Sequence, residues 1–68
     1  MQVTYREKAD LLYIRLDERA QDVMNKEVVE GVTLDMGAGD TIVGIEILEA
    51  SRRLDLTQVL PVSRTAVA

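Results

Sequence analysis

The sequence predicts a small, mainly β (α+β) protein: an antiparallel sheet of about four strands followed by a short C-terminal helical segment. Short runs of β-branched and apolar residues alternate with polar segments, which is typical of strands. A glycine-rich segment at residues 37–40 separates two such runs and predicts a hairpin. After Leu48 the pattern changes to one that favours a helical turn. With 68 residues, the chain has room for a single domain, residues 1–68.

The first half of the chain contains two predicted strands. Residues 3–5 are β-branched and aromatic, and residues 11–16 alternate so that Leu12 and Ile14 point to one face. A helical interpretation of this short second run stays open. Residues 6–10 form a turn, in which the side chain of Asp10 is expected to bond nearby backbone N–H groups. The polar residues 17–26 are expected to form a loop, with room for one helical turn.

The second half contains the other two predicted strands, residues 27–36 and 41–49, joined by the turn Gly-Ala-Gly-Asp. Glu30 interrupts the apolar alternation of the third strand, which predicts a sheet end or a bulge beside Gly31. The fourth strand is apolar on both faces, as expected of a strand that is covered on both sides. Residues 49–54 favour a helical turn, and an apolar tail follows over residues 55–68.

Composition excludes several classes of protein. The chain has no cysteine and no histidine, so a disulfide and the usual zinc sites are excluded. Its 8 basic and 12 acidic residues give a net charge of −4, which disfavours binding to nucleic acid. The start lacks the apolar stretch of a secretory leader, and no run approaches the roughly 18 apolar residues of a membrane span. We therefore expect a soluble cytoplasmic protein without a cofactor.

Carboxylates are the only groups suited to chemistry, and none predicts an enzyme. Asp35 and Asp40 flank the glycine-rich turn but are too few for a calcium loop, so a plain hairpin turn is favoured over a metal site. Glu46 lies in the middle of the fourth strand. It is either a general base with a raised pKa or, as we favour, a glutamate that faces solvent or pairs across strands with Arg15 or Thr33. The serines have no histidine to accept a proton.

The shortage of core material predicts a partner chain. A domain of this size rarely stabilises itself by more than about 3–5 kcal/mol without a disulfide, a metal or a partner. We favour a homodimer or higher homo-oligomer over a tail that only folds back on its own sheet. Arg52 and Arg53 either close the helical turn, which we favour, or contact an acidic partner or one phosphate. With Glu46 they are the candidate polar contacts. The apolar residues of the predicted interface are Leu54, Leu56, Val59, Leu60 and Val62.

Two segments together resemble a known family. They are Ala9-Asp10-Leu11-Leu12-Tyr13-Ile14-Arg15-Leu16 and Val43-Gly44-Ile45-Glu46-Ile47-Leu48-Glu49-Ala50-Ser51. With the opening Val3-Thr4-Tyr5 and the segment Val32-Thr33-Leu34-Asp35, they are similar to short prokaryotic proteins grouped as domain of unknown function 2283, over about residues 1–54. The resemblance implies a small antiparallel β domain with a C-terminal helical segment, and it implies no activity.

Three functions remain open at this stage. The first is a non-catalytic interaction or assembly module acting as a homo-oligomer. The second is an antitoxin-like or accessory partner of a small toxin-like protein, since the resemblance hints at such neighbours and an acidic chain suits a basic partner. The third is a small ligand-binding protein or an unrecognised enzyme that uses carboxylates.

Overall fold

The computed structural model describes residues 1–59 as one antiparallel sheet with two short helical segments at its C-terminal end. A single-turn helix α1 spans Ala50–Arg53, and residues 56–59 are also helical. A 3-10 turn spans Ala38–Asp40. The five strands are β1 Gln2–Arg6, β2 Leu11–Arg15, β3 Met24–Val29, β4 Val32–Met36 and β5 Ile42–Leu48.

The strand order across the sheet is β1-β2-β5-β4-β3, so β5 lies at the centre. Three of the four neighbouring pairs, β1–β2, β3–β4 and β4–β5, are hairpins between consecutive strands. The fourth pair joins β2 to β5, with Leu12 opposite Ile47 and Ile14 opposite Ile45. The connection from β2 to β3 crosses the end of β5, where the Leu16 amide donates to the Val43 carbonyl at 2.8 Å. β5, the most apolar strand of the sequence, thus has a neighbour on each side.

The prediction of one continuous third strand over residues 27–36 is wrong, because this segment turns back on itself. Glu30 and Gly31 form a two-residue turn between β3 and β4, and Gly31 adopts a φ of 87°. Such a φ is accessible to glycine without strain, which permits a tight hairpin here. The sheet therefore has five strands instead of four. The register shift in this hairpin lies between Glu27 and Val29, before the turn.

The predicted loop over residues 17–26 is three residues too long, because Met24, Asn25 and Lys26 belong to β3. These residues lack a clear alternation because the whole strand is exposed at the sheet edge. The glycine-rich turn between β4 and β5 is confirmed. The Gly37 amide donates to the Thr41 carbonyl at 2.8 Å, and Gly39 supplies a φ of 68°.

The two sides of the sheet differ in character. Residues directly opposite each other in an antiparallel pair point to the same side, so the register defines both sides. The polar side includes Thr4, Tyr13, Glu46, Thr33 and Glu27, which form one row across all five strands. The apolar side carries Val3, Tyr5, Leu12, Ile14, Ile45, Ile47, Val32 and Leu34.

The core lies on the apolar side, under residues 50–59. Among residues 1–59 the buried apolar residues are Leu12, Val43, Ile47 and Ala50. Leu54, Leu56 and Val59 are half-buried and pack against the cluster of Leu12, Ile47 and Ala50. The described part of the tail therefore folds back over the β1–β2–β5 half of the sheet, which is the alternative that the sequence left open.

Candidate functional site

Tyr13 lies across the centre of the polar side. It projects from β2 over Gly44 of β5, and a Cβ atom at Gly44 would overlap the Tyr13 hydroxyl. That hydroxyl donates a hydrogen bond to Asp35 Oδ2 in β4 at 2.8 Å. Gly44 is therefore required here for the close approach of an aromatic ring, and the Tyr13 side chain bridges three strands.

Asp35 connects this bridge to the edge of the sheet. Its other oxygen accepts a hydrogen bond from Asn25 Nδ2 in β3 at 2.5 Å. Burial raises the pKa of Tyr13, and the hydrogen bond to Asp35 raises it further. The neutral phenol is therefore the form that donates to Asp35 near neutral pH. The Tyr13–Asp35–Asn25 network spans four strands, and its members come from separate parts of the sequence.

Glu46 lies beside this network, in the row between Tyr13 and Thr33. Its position opposite Thr33 agrees with the cross-strand pairing that we favoured. Arg15 belongs to the next row, opposite Gly44, and its Nε donates to the Asp17 carbonyl at 3.1 Å. Glu46 is half-buried, and within residues 1–59 no hydrogen bond or ion pair engages its carboxylate. Its role as a partner contact or as a general base stays a prediction.

Asp10 forms a second polar cluster, at the turn between β1 and β2. Its carboxylate accepts hydrogen bonds from Ser51 Oγ at 2.6 Å, from the Ser51 amide at 3.0 Å and from the Tyr5 hydroxyl at 2.8 Å. Its carbonyl accepts from the Ala50 amide at 2.9 Å. Asp10 thus satisfies the first two amides of α1, although it is about 40 positions away in sequence.

The hydrogen bonds from Ala50 and Ser51 to Asp10, which we call the clamp, take the place of a local helix cap. Glu49 precedes α1 with a φ of 52° and makes no side-chain capping hydrogen bond. The bonds from Ser51, followed by the bond from Tyr5, hold the pKa of Asp10 below its usual value. The same carboxylate raises the pKa of Tyr5. We expected Asp10 to bond nearby amides, but the amides that its side chain binds are distant, and only the fold brings them together.

The basic residues predicted for polar contacts have partners within the chain. Arg52 forms an exposed ion pair with Glu49 at 3.4 Å. Arg53 extends to the β3–β4 turn, where it donates to the Glu30 carbonyl and lies against Gly31. The two arginines thus lie at the end of the helical turn, as we favoured, and Arg53 also braces a hairpin.

The predicted apolar interface is described only in part. Leu54, Leu56 and Val59 face the core cluster and remain partly exposed. Leu60 and Val62 lie outside the described residues. Whether this group contacts a second chain stays a prediction.

The far end of the sheet holds features that the sequence did not indicate. A cavity of about 270 Å³ opens between the β2–β3 connection and the β4–β5 turn, lined by Val23, Met24 and Met36 among others.

The two aspartates that flank the glycine-rich turn point to different surroundings. Asp40 lies in the β4–β5 turn with a φ of 61°, while Asp35 faces Tyr13 and Asn25. In residues 1–59 no three histidine, cysteine, aspartate or glutamate side chains gather as metal ligands would.

These observations define a small single-sheet antiparallel β protein in which a polar clamp fixes a C-terminal helical turn on the sheet. The chain belongs to the family described as protein of unknown function DUF2283, whose model matches residues 2–51. No curated protein and no solved structure matches the chain. In the part of the chain that the structure describes, no helix is long and apolar enough to cross a membrane.

The matched region contains all five strands and the start of α1. It begins in β1 and ends at Ser51, the residue that Asp10 holds. The two segments on which the resemblance was based meet at the Asp10–Ser51 contact and again at Tyr13 over Gly44. These contacts thus lie within the matched region.

Proposed function

We propose that this chain is a non-catalytic protein-interaction module that acts as a homo-oligomer. The observation that supports the proposal is the incomplete cover of the apolar side within residues 1–59. Four apolar residues are buried in this part of the chain, whereas Val3, Tyr5, Leu54, Leu56 and Val59 pack against the core but remain partly exposed. Val3 and Tyr5 belong to β1, an edge strand of the sheet.

The energetics favour a partner. A folded domain of about 60 residues buries only about 60% of the surface that its unfolded chain exposes. Full burial of one valine or methionine side chain contributes about 1.5–3 kcal/mol. Completing two or three such burials against another chain would add an amount comparable to the whole stability of so small a domain. Contact with another chain is therefore an efficient route to a stable protein.

A second copy is the partner that we propose. Homo-oligomers with a two-fold axis are the commonest assemblies of soluble proteins. An acidic surface gives some support to a basic accessory partner, the antitoxin-like alternative. Eight acidic residues are exposed in the described chain, and they attract basic proteins at long range. They are Glu7, Glu18, Asp22, Glu27, Glu30, Asp40, Glu49 and Asp55.

Sedimentation velocity of the purified chain tests the proposal. We expect a species of at least twice the chain mass of 7.6 kDa at micromolar concentration, dissociating on dilution. A folded monomer across the whole micromolar range would contradict it. Adding a small basic protein encoded next to this chain tests the antitoxin-like alternative. An accessory partner should form a stable complex that contains one copy of each protein.

A further inference from the structure

The two edges of the sheet differ in how well they suit pairing with another strand. An open strand edge carries unpaired N–H and C=O groups, and proteins protect such edges with bulges and with charges on the apolar side. β3 has both devices. Its register shifts between Glu27 and Val29, and Lys26 lies opposite Leu34, on the apolar side. β3 is therefore a protected edge.

β1 has neither device. It pairs with β2 in an unbroken register over all five of its residues, and β2 is its only strand neighbour in the described chain. It contains no proline and no glycine, and its one charged residue, Arg6, is at its end. Within residues 1–59, β1 therefore presents a regular edge without either device.

The sequence of β1 is complementary to itself. Two copies related by a two-fold axis perpendicular to the sheet pair antiparallel and keep the same side up, so each residue must face one from its own side. The register that uses the whole strand places Thr4 opposite Thr4 of the other copy. Val3 then lies opposite Tyr5 on the apolar side, and Gln2 lies opposite Arg6 on the polar side.

The same operation centred on the middle of β3 gives poor pairs. Centring the axis on Lys26 places two lysines opposite each other, and centring it on Glu27 places two glutamates opposite each other. Like charges directly opposite in a ladder are destabilising. Together with the register shift of β3, these like-charge pairs favour β1 as the edge that pairs with a second copy.

We propose that two copies of this chain pair through β1, antiparallel and centred on Thr4, to form a continuous ten-stranded sheet. This inference rests on the proposed homo-oligomer and specifies its contact. Val3 and Tyr5 pack against the same core cluster as Leu54, Leu56 and Val59. The two-fold axis therefore lies beside the half of the sheet that carries Leu54, Leu56 and Val59, the described residues of the predicted interface. Met24 and Val29, exposed apolar residues of β3, lie at the two far ends.

Disulfide trapping tests the register, because the chain has no cysteine and any introduced cysteine is unique. Opposed residues in an antiparallel pair have Cα atoms about 4.5–5.5 Å apart, within the range that a disulfide spans. Thr4→Cys should form a covalent dimer under mild oxidation. Gln2→Cys should not, because its two copies lie about 13 Å apart. A mixture of Gln2→Cys and Arg6→Cys should form the mixed dimer.

A charge substitution gives an independent readout. Thr4→Lys places two like charges opposite each other, and we expect it to raise the dimer dissociation constant about fivefold or more. Ala38→Lys is the matched control, since Ala38 is exposed in the β4–β5 turn and its substitution should leave the constant unchanged. Circular dichroism checks that each variant is folded.

The outcomes separate this inference from the proposed function. A monomeric wild-type chain would refute both. An oligomer that persists in Thr4→Lys, with no cross-link in Thr4→Cys, would refute the β1 contact and leave the homo-oligomer in place. Cross-linking of Gln2→Cys with itself would show that the register is wrong.

Discussion

Asp10 and Ser51 are joined by two hydrogen bonds, at 2.6 Å from the Ser51 hydroxyl and at 3.0 Å from its amide. Asp10 adopts a φ of 51°, a conformation that aspartate, asparagine and glycine tolerate better than other residues. The β1–β2 turn thus presents both a carboxylate and a carbonyl to the start of α1. This contact holds the helical turn, and with it Ala50, Leu54 and Leu56, on the core.

Removing the clamp should loosen the C-terminal residues. We expect Asp10→Ala to lower the melting temperature more than Ser51→Ala, because Ser51→Ala keeps the backbone amide that donates a hydrogen bond to Asp10. Asp10→Ala also introduces a residue that disfavours the positive φ. Asp10→Asn is the control, since asparagine tolerates that φ and keeps one acceptor oxygen. Thermal unfolding followed by circular dichroism ranks the three variants, and equal melting temperatures would contradict the clamp.

The clamp should also make stability depend on acid pH. The hydrogen bonds from Ser51 and Tyr5 hold the pKa of Asp10 below its unfolded value of 3.8. Its contribution is therefore fully present above about pH 4 and is lost as the pH falls through the folded pKa. Asp17 should likewise lose its contribution to stability as the pH falls, because its hydrogen bonds with Arg19 lower its pKa. Urea unfolding between pH 2 and 6 should show a smaller loss in Asp10→Asn than in wild type.

Gly44 should not tolerate a side chain while Tyr13 is present. A methyl group there overlaps the Tyr13 ring and hydroxyl, and overpacking of this kind costs about 1–3 kcal/mol. We expect Gly44→Ala to destabilise the protein and Tyr13→Ala to relieve part of that cost in the double variant. A double-mutant cycle from urea unfolding measures the coupling. Additive effects would show that the two residues do not compete for the same space.

Alkaline pH should weaken the protein through its two tyrosines. The folded-state pKa values of Tyr13 and Tyr5 both lie above the usual value of 10. Their stabilisation is therefore complete below pH 10 and decreases as the pH rises from there through the folded pKa values. Tyr13→Phe and Tyr5→Phe should each reduce this slope. Ultraviolet titration of tyrosinate absorbance in the two variants assigns each pKa, and titration at the ordinary value in both would contradict the hydrogen bonds.

Leu12 should be the most sensitive aliphatic position of β2. It is fully buried between Ile47 and Tyr5 in the register, under the C-terminal residues. Truncating a buried leucine to alanine costs about 2–5 kcal/mol, which is enough to unfold a domain of this size. Leu48→Ala is the control, because Leu48 is 43% exposed, and it should cost much less. Chemical unfolding of both variants gives the comparison.

Whether the sequence could predict a contact of a candidate site depended on how far apart its two residues lie in the chain. Asp10 was recognised as a turn residue. Glu46 was expected to face Arg15 or Thr33 across strands, and the register places Thr33 opposite it. The Tyr13–Asp35 bond was missed, because its two residues are 22 positions apart and neither is unusual where it stands. Gly44 offered a signal, as a glycine inside an apolar strand often marks a close approach.

The sequence by itself determined the local elements: β2 and β5 from their period-two alternation, the β4–β5 turn from its glycines, and α1 from the change after Leu48. Each depends on residues adjacent in the chain, and so does the family membership. Only the tertiary structure decided that β2 pairs with β5, that residues 24–36 divide into a hairpin, and that Asp10 caps α1. Backbone hydrogen bonds are the same for every residue type, so the sequence of a strand does not specify which strand it pairs with. Burial of Leu12 in β2 beside Ile47 in β5, in one cluster with Ala50, favours that pairing.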